Sequence, residues 1–210
     1  MELVSLPVSP FASRVRIAIY AKELDVVLSS PPADWPRSAR YRAINPTGLV
    51  PVLICDDGSV IPESTVILEY LEEQFPEARP LLPFAASDRA KVRLLARLVD
   101  LYLMSPVVAL AKMDLDESGR RAKTEEIVDA LRIIEDVMGI GAYSVSDDLT
   151  LADCALAPAL FAVGVTGERL GLDLIAGNNR VDRYAWSIEQ DEHVRRVLLE
   201  MTEGLRMLAV

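Results

Sequence analysis

The sequence predicts an α/β amino-terminal domain, with element order βαβαββα, joined to an all-α carboxy-terminal domain. Three observations carry that expectation. Short β-branched runs alternate with helical stripes as far as Phe75, three prolines crowd the stretch from Pro76 to Pro83, and strand-like alternation nearly vanishes beyond it. The boundaries drawn from these shifts are 1–78 for the first domain, 79–86 for a stiff connector and 87–210 for the helical domain.

Taken in order, Glu2 to Leu6 suits a short strand. After the break from Pro7 to Pro10, Val15, Ala18, Ile19 and Lys22 recur at helical spacing within residues 11–22. Asp25 to Ser29 is an apolar run of strand length, and Trp35 to Ile44 has room for one short, arginine-bearing helix ahead of the loop Asn45-Pro46-Thr47-Gly48. Val50 to Ile54 is β-branched and apolar. Asp56-Asp57-Gly58-Ser59 is a hairpin signal, and Val60-Ile61 starts the returning strand. Glu63 to Phe75 then sets Ile67, Leu68, Leu71 and Phe75 on one helical stripe, which Pro76 ends.

Beyond the connector, helices are expected over Asp88 to Met113, Arg121 to Met138, Leu151 to Val163 and Glu189 to Met207. Ser87 is placed to cap the first, and Pro106 to kink it. Thr150 and Asp153 have the spacing of a capping box, with Leu149 placed for a hydrophobic staple. Gly119 marks a loop, and Gly167 to Ser187 reads as poor in helix.

Composition excludes several function classes. Apolar residues make up 51% of the chain, enough for a real core, and 22 Lys plus Arg against 32 Asp plus Glu give a formal charge of -10. That balance repels phosphate backbones and anionic lipid, so neither nucleic acid nor a membrane is an expected partner. The acidic clusters Asp114, Asp116, Glu117 and Glu189, Asp191, Glu192 read as solvated faces. Cys55, Cys154 and the single His193 support neither a disulfide scaffold nor a metal site. The first ten residues have no basic or long apolar stretch, and Ser105 and Pro106 interrupt the most apolar tract, Leu101 to Ala111. A soluble, cytoplasmic protein is expected.

Four segments resemble successive signatures of the cytosolic glutathione transferases. They are Ser9-Pro-Phe-Ala-Ser-Arg-Val-Arg-Ile-Ala, Asn45-Pro-Thr-Gly-Leu-Val-Pro-Val-Leu, Glu63-Ser-Thr-Val-Ile-Leu-Glu-Tyr-Leu and Leu149-Thr-Leu-Ala-Asp-Cys-Ala-Leu-Ala-Pro. The resemblance, nearest to the serine-type tau and zeta classes, spans almost the whole chain. It implies a thioredoxin-like first domain, an all-helical second one, glutathione as co-substrate, a small hydrophobic electrophile and a homodimer.

In that family Ser9 falls on the serine that donates a hydrogen bond to the glutathione sulfur. A thiol of pKa ~8.5 is only about 3% ionised at pH 7, so a downward shift of about 2 units makes the thiolate the main species. By its residue type alone, Ser9 would instead be a plain helix cap. Val50-Pro51 matches the family's cis-proline, which pairs the backbone with the ligand's cysteinyl unit. Glu63 and Ser64 fall where a helix start takes the ammonium and carboxylate of a γ-glutamyl end. Arg37 falls near a cation for the glycyl carboxylate, and Phe11 joins the binding set. Phe11, Tyr102, Leu103 and Pro106 are also candidate walls for an electrophile pocket.

Two departures from the pattern stand out. Leu49 replaces the Lys or Gln that relatives often carry ahead of Val-Pro, removing one polar contact to glutathione. Ser9-Pro10-Phe11 breaks the Ser-Ser-Cys turn of the zeta-type isomerases. No cysteine lies at that turn, against the classes that reduce mixed disulfides. The resemblance therefore implies a transferase. Its alternatives are a glutathione-dependent lyase or isomerase, or a non-catalytic interaction protein of the stringent starvation protein type.

Overall fold

The computed structural model describes residues 1–112, 114–177 and 179–208. Contacts divide the chain into two compact units, one formed by Met1–Pro80 with the segment from Arg195 onward, the other by Leu81–Val194. Sequence boundaries assigned residues 87–210 to the helical part. The segment from Arg195 onward packs instead with the first unit, because its inner face meets the first helix of the chain.

The first unit is built on four short strands, β1 (Glu2–Val4), β2 (Val27–Ser29), β3 (Val52–Ile54) and β4 (Val60–Pro62), in the order β2-β1-β3-β4. β2 runs parallel to β1, while β3 is antiparallel to both β1 and β4. Helices α1 (Pro10–Ala21), α2 (Ala39–Ile44) and α3 (Ser64–Gln74) complete the expected βαβαββα order. Side chains alternate between the sheet's faces. Leu3 and Leu53 pack with Val15 and Ile19 of α1 and Ile67 and Leu71 of α3. Val4 and Val52 pack with Tyr41 of α2 and with Val50.

Helix α1 is buried nearly all round, from Ala12 to Ile19, so the one-stripe reading of its pattern underestimates how deeply it sits. Its end carries a buried cation. Lys22 Nζ lies 2.8 Å from Glu72 Oε1 of α3 and donates to the Arg79 carbonyl at 3.0 Å. With both partners in place, the cost of removing the ammonium from water is offset by a charge pair and a further acceptor.

The second unit contains α4 (Ala86–Leu98), a π-helical turn at Val99–Leu103, α5 (Met104–Ala111), α6 (Glu117–Val137), α7 (Leu151–Leu170) and α8 (Asn179–Ile188); helix α9 (Glu192–Leu208) begins in it. Pro106 acts one turn early: it has no N–H for the Tyr102 carbonyl, and the backbone widens so that Met104 N–H reaches Val99 O. Residues 86–111 and α7 are each long and apolar enough to cross a membrane. Most of α7 is buried within the unit, from Leu151 to Leu160 without a break, so its apolarity serves the core.

Several local expectations are corrected. Ser87 lies inside α4, whose start is Ala85 with no side-chain cap. Gly119 is helical, and its N–H donates to the true cap, Asp116 Oδ1, at 2.7 Å. The stretch Gly167 to Ser187 contains the end of α7 and most of α8, where Val181, Tyr184 and Ile188 are buried at helical spacing among charged neighbours. The expected helix from Glu189 to Met207 starts at Glu192. Trp35 and Pro36 lie in a turn, and only Ala39–Ile44, capped by Ser38, is helical there. The expected end at Met113 lies outside the described residues.

Candidate functional site at one end of the sheet

Strand register places the chemistry. Val4, the last residue of β1, pairs with Ser29 on one side and Val52 on the other, and Val52 pairs with Pro62. The turn after β1, the residues just before β3 and the residues just after β4 therefore share one end of the sheet. Those segments carry Ser9, Val50-Pro51 and Glu63-Ser64. Arg37 lies on the connection leaving β2 at that same end, in an exposed turn ahead of α2.

Ser9 is the N-cap of α1. Its Oγ accepts from the Ala12 N–H at 3.3 Å, and its carbonyl accepts from Ser13 N–H at 2.8 Å. No acceptor for the Ser9 O–H occurs among the described residues. Capping uses one lone pair, so the hydroxyl keeps a proton that it can donate, beside the positive end of the helix. Phe11, in the next turn, is half-buried under the Arg14 guanidinium, 5.2 Å from its ring centre.

The Val50–Pro51 peptide is cis. Its approach is held by side chains that the periodic pattern does not reveal. Tyr41 O–H and Asn45 Nδ2 both donate to the Leu49 carbonyl at 2.8 Å, and Thr47 Oγ1 accepts from Leu49 N–H at 3.2 Å. Trp35 Nε1 donates to the Gly48 carbonyl at 2.9 Å. The Leu49 side chain itself is 58% exposed and brings no polar group to this end of the sheet.

Glu63 has φ 69°, a conformation that costs a residue with a Cβ roughly 1 kcal/mol or more. It turns the chain directly from β4 into α3, whose first residue, Ser64, is only 5% exposed. The first-turn N–H groups of α3 supply donors for an anion. Of the candidate pocket walls in the helical unit, Tyr102 is exposed, whereas Leu103 and Pro106 are buried in that unit's core.

The turn bearing Ser9 is also fastened from behind, by a residue that sequence reading passed over. Arg16, 3% exposed, donates from Nη2 to the Pro7 carbonyl and to Ser13 Oγ, both at 2.8 Å, and its Nη1 lies 3.1 Å from Glu200 Oε2 of α9. Burial lowers the guanidinium's pKa while Glu200 raises it. Its trace in the sequence is one of two arginines, with Arg14, on a largely apolar helix.

Comparison with known proteins gives the family. Residues 3–79 match the glutathione S-transferase N-terminal domain, and residues 117–185 match the C-terminal domain. The chain belongs to the glutathione S-transferase family. A stringent starvation protein A homolog from Coxiella burnetii is 32% identical, covering 77% of this chain and 75% of that protein. A probable maleylacetoacetate isomerase from Caenorhabditis elegans is 35% identical, over 77% of this chain and 76% of its own length. A maleylacetoacetate isomerase structure from Methylobacterium extorquens AM1, with malonate and glutathione bound, superposes with a TM-score of 0.77. It is 26% identical and covers 94% of this chain and 95% of its own. The fold is thus the thioredoxin-like plus all-helical architecture of glutathione transferases.

Proposed function

We propose that this member of the family binds glutathione at the described end of the sheet and uses Ser9 to hold its sulfur as a thiolate, which attacks a small apolar electrophile. The observation that carries the reading is the Ser9 hydroxyl, at a helix start, with its O–H uncommitted. In this reading Val50 pairs through its backbone with the cysteinyl unit beside Pro51. Glu63 and Ser64 take the γ-glutamyl end, Arg37 draws the glycyl carboxylate, and Phe11 lines the site. The reaction needs no metal: the thiolate forms a carbon–sulfur bond by addition, or by expelling a leaving group with its electron pair. We further propose a soluble, cytoplasmic homodimer.

Conjugation of a generic aromatic halide to glutathione tests the proposal. The wild-type rate should rise with pH through about 6.5, and that of Ser9→Ala through about 8.5. At pH 7 the thiolate fraction then falls from about three quarters to about 3%, a roughly 25-fold lower rate in the variant. Equal, robust rates in both proteins remove Ser9 from its role.

Two other readings rest on specific relatives. The match to maleylacetoacetate isomerases favours a glutathione-dependent isomerase, in which the same thiolate adds to a double bond and is later released. The match to a stringent starvation protein A homolog favours an interaction protein. Retention on immobilised glutathione supports either enzyme; failure to bind, with RNA polymerase co-purifying, supports the interaction protein.

A further inference from the structure

Helix α9 touches the turn between β1 and α1 in two independent ways. One is polar: Glu200 holds the Arg16 guanidinium, whose other nitrogen holds the Pro7 carbonyl and Ser13 Oγ. Glu200 is itself fixed, because its Oε1 accepts from Tyr20 O–H at 2.9 Å and lies 3.4 Å from Arg196 Nε. The Arg196 guanidinium stacks on the Tyr20 ring at 3.6 Å. The second contact is steric. Gly204 is buried, and a Cβ built there would stand 2.9 Å from both Pro7 Cβ and Val8 Cγ1 and 3.4 Å from the Val8 nitrogen. The backbone of α9 therefore lies against the two residues that immediately precede Ser9.

We propose that α9 is a positioning element for Ser9, with Gly204 and the Glu200–Arg16 pair setting where the hydroxyl stands and so how acidic the bound glutathione thiol is. This rests on the reading of Ser9 as the group that holds the sulfur. The hydrogen bond from a hydroxyl to a thiolate weakens steeply with distance and angle. Among the described residues, Ser9 Oγ is tethered to α1 only by the long 3.3 Å bond from Ala12 N–H, so the turn's own placement decides the geometry. Arg16 suits this role because its planar fork meets acceptors on α1, the turn and α9 at once, which a lysine ammonium on a flexible stem does not reproduce.

The test is a pH titration of thiolate ultraviolet absorbance with glutathione bound to wild type and to Ser9→Ala, Gly204→Ala, Glu200→Gln and the double variant Val8→Ala/Gly204→Ala. Each is first checked for folding by circular dichroism and for its glutathione Kd. Ser9→Ala should raise the bound thiol's pKa by about 2 units, Gly204→Ala by about half a unit to one unit, and Glu200→Gln by less. Trimming Val8 in the double variant should restore about half of the Gly204→Ala shift, since one of the two close contacts is removed. If Gly204→Ala does not fold, Glu200→Gln, which preserves side-chain shape, carries the test. A shift in Ser9→Ala with none in the folded α9 variants overturns the positioning role alone. No shift in Ser9→Ala overturns the Ser9 reading and this inference with it.

Discussion

Helices α1 and α7 both start at a hydroxyl residue, yet their starts are in opposite chemical states. At α7 the cap residue and the carboxylate are committed to each other. Asp153 is fully buried, its Oδ1 accepts from Ser144 N–H at 2.7 Å, and its Oδ2 accepts from both the N–H and the Oγ of Thr150 at 2.8 Å. Burial raises the Asp153 carboxyl above its ordinary pKa, and these hydrogen bonds oppose the rise. At α1 the cap is a single 3.3 Å bond, and the Ser9 O–H has no acceptor among the described residues. A saturated cap holds a fold, whereas a partly exposed one with a proton to spare can still donate it to water or to a ligand.

The largest effect expected from this contrast is on stability at α7. Asp153→Ala strands two buried backbone donors and a hydroxyl, and should lower unfolding stability by about 3 kcal/mol or more, read from the urea midpoint. A loss below about 1 kcal/mol would break the contrast from the structural side. Ser9→Ala should show the mirror image. Its stability should fall by no more than about 1 kcal/mol while conjugation falls far more steeply, and a stability loss matching that of Asp153→Ala would erase the distinction.

The smallest effect sharpens how α1 is held along its length. Burial and the hydrogen bond to Glu200 raise the Tyr20 phenol above its ordinary pKa of 10.0. A phenol that holds its proton more tightly when folded contributes fully below that value, and its contribution declines as pH rises above it. Tyr20→Phe should therefore cost about 1 kcal/mol at neutral pH and flatten the alkaline fall in the urea midpoint. An unchanged alkaline slope would assign that fall to other groups.

Local chemistry made much of this legible in the sequence. Ser9 before an apolar helix, the Asp56-Asp57-Gly58-Ser59 turn and the Thr150–Asp153 spacing all act within a few residues, and the structure forms each element where the pattern puts it. What escaped is chemistry between distant residues. Arg16 meets Glu200 across most of the chain length, and nothing in the spacing of either residue announces the other. Tyr41 and Asn45 support the Leu49 carbonyl through side-chain tips, which leave no periodic trace. Helix α8 was hidden because charged residues dilute its three buried positions.

The wide turn at Val99–Leu103 carries a consequence for how this part of the chain tolerates changes in length. A π-helical turn holds one residue more than the α-helical turn it replaces, and within it Leu101 and Tyr102 are about half exposed. Deleting one of them leaves Val92 and Leu95 upstream, and Val107 and Leu110 downstream, aimed at the same core. A deletion outside that turn but between Ala86 and Ala111 swings everything after it about 100° round the axis, turning leucines outward and charges inward. Gaps and insertions among relatives in this helix should therefore gather at that turn.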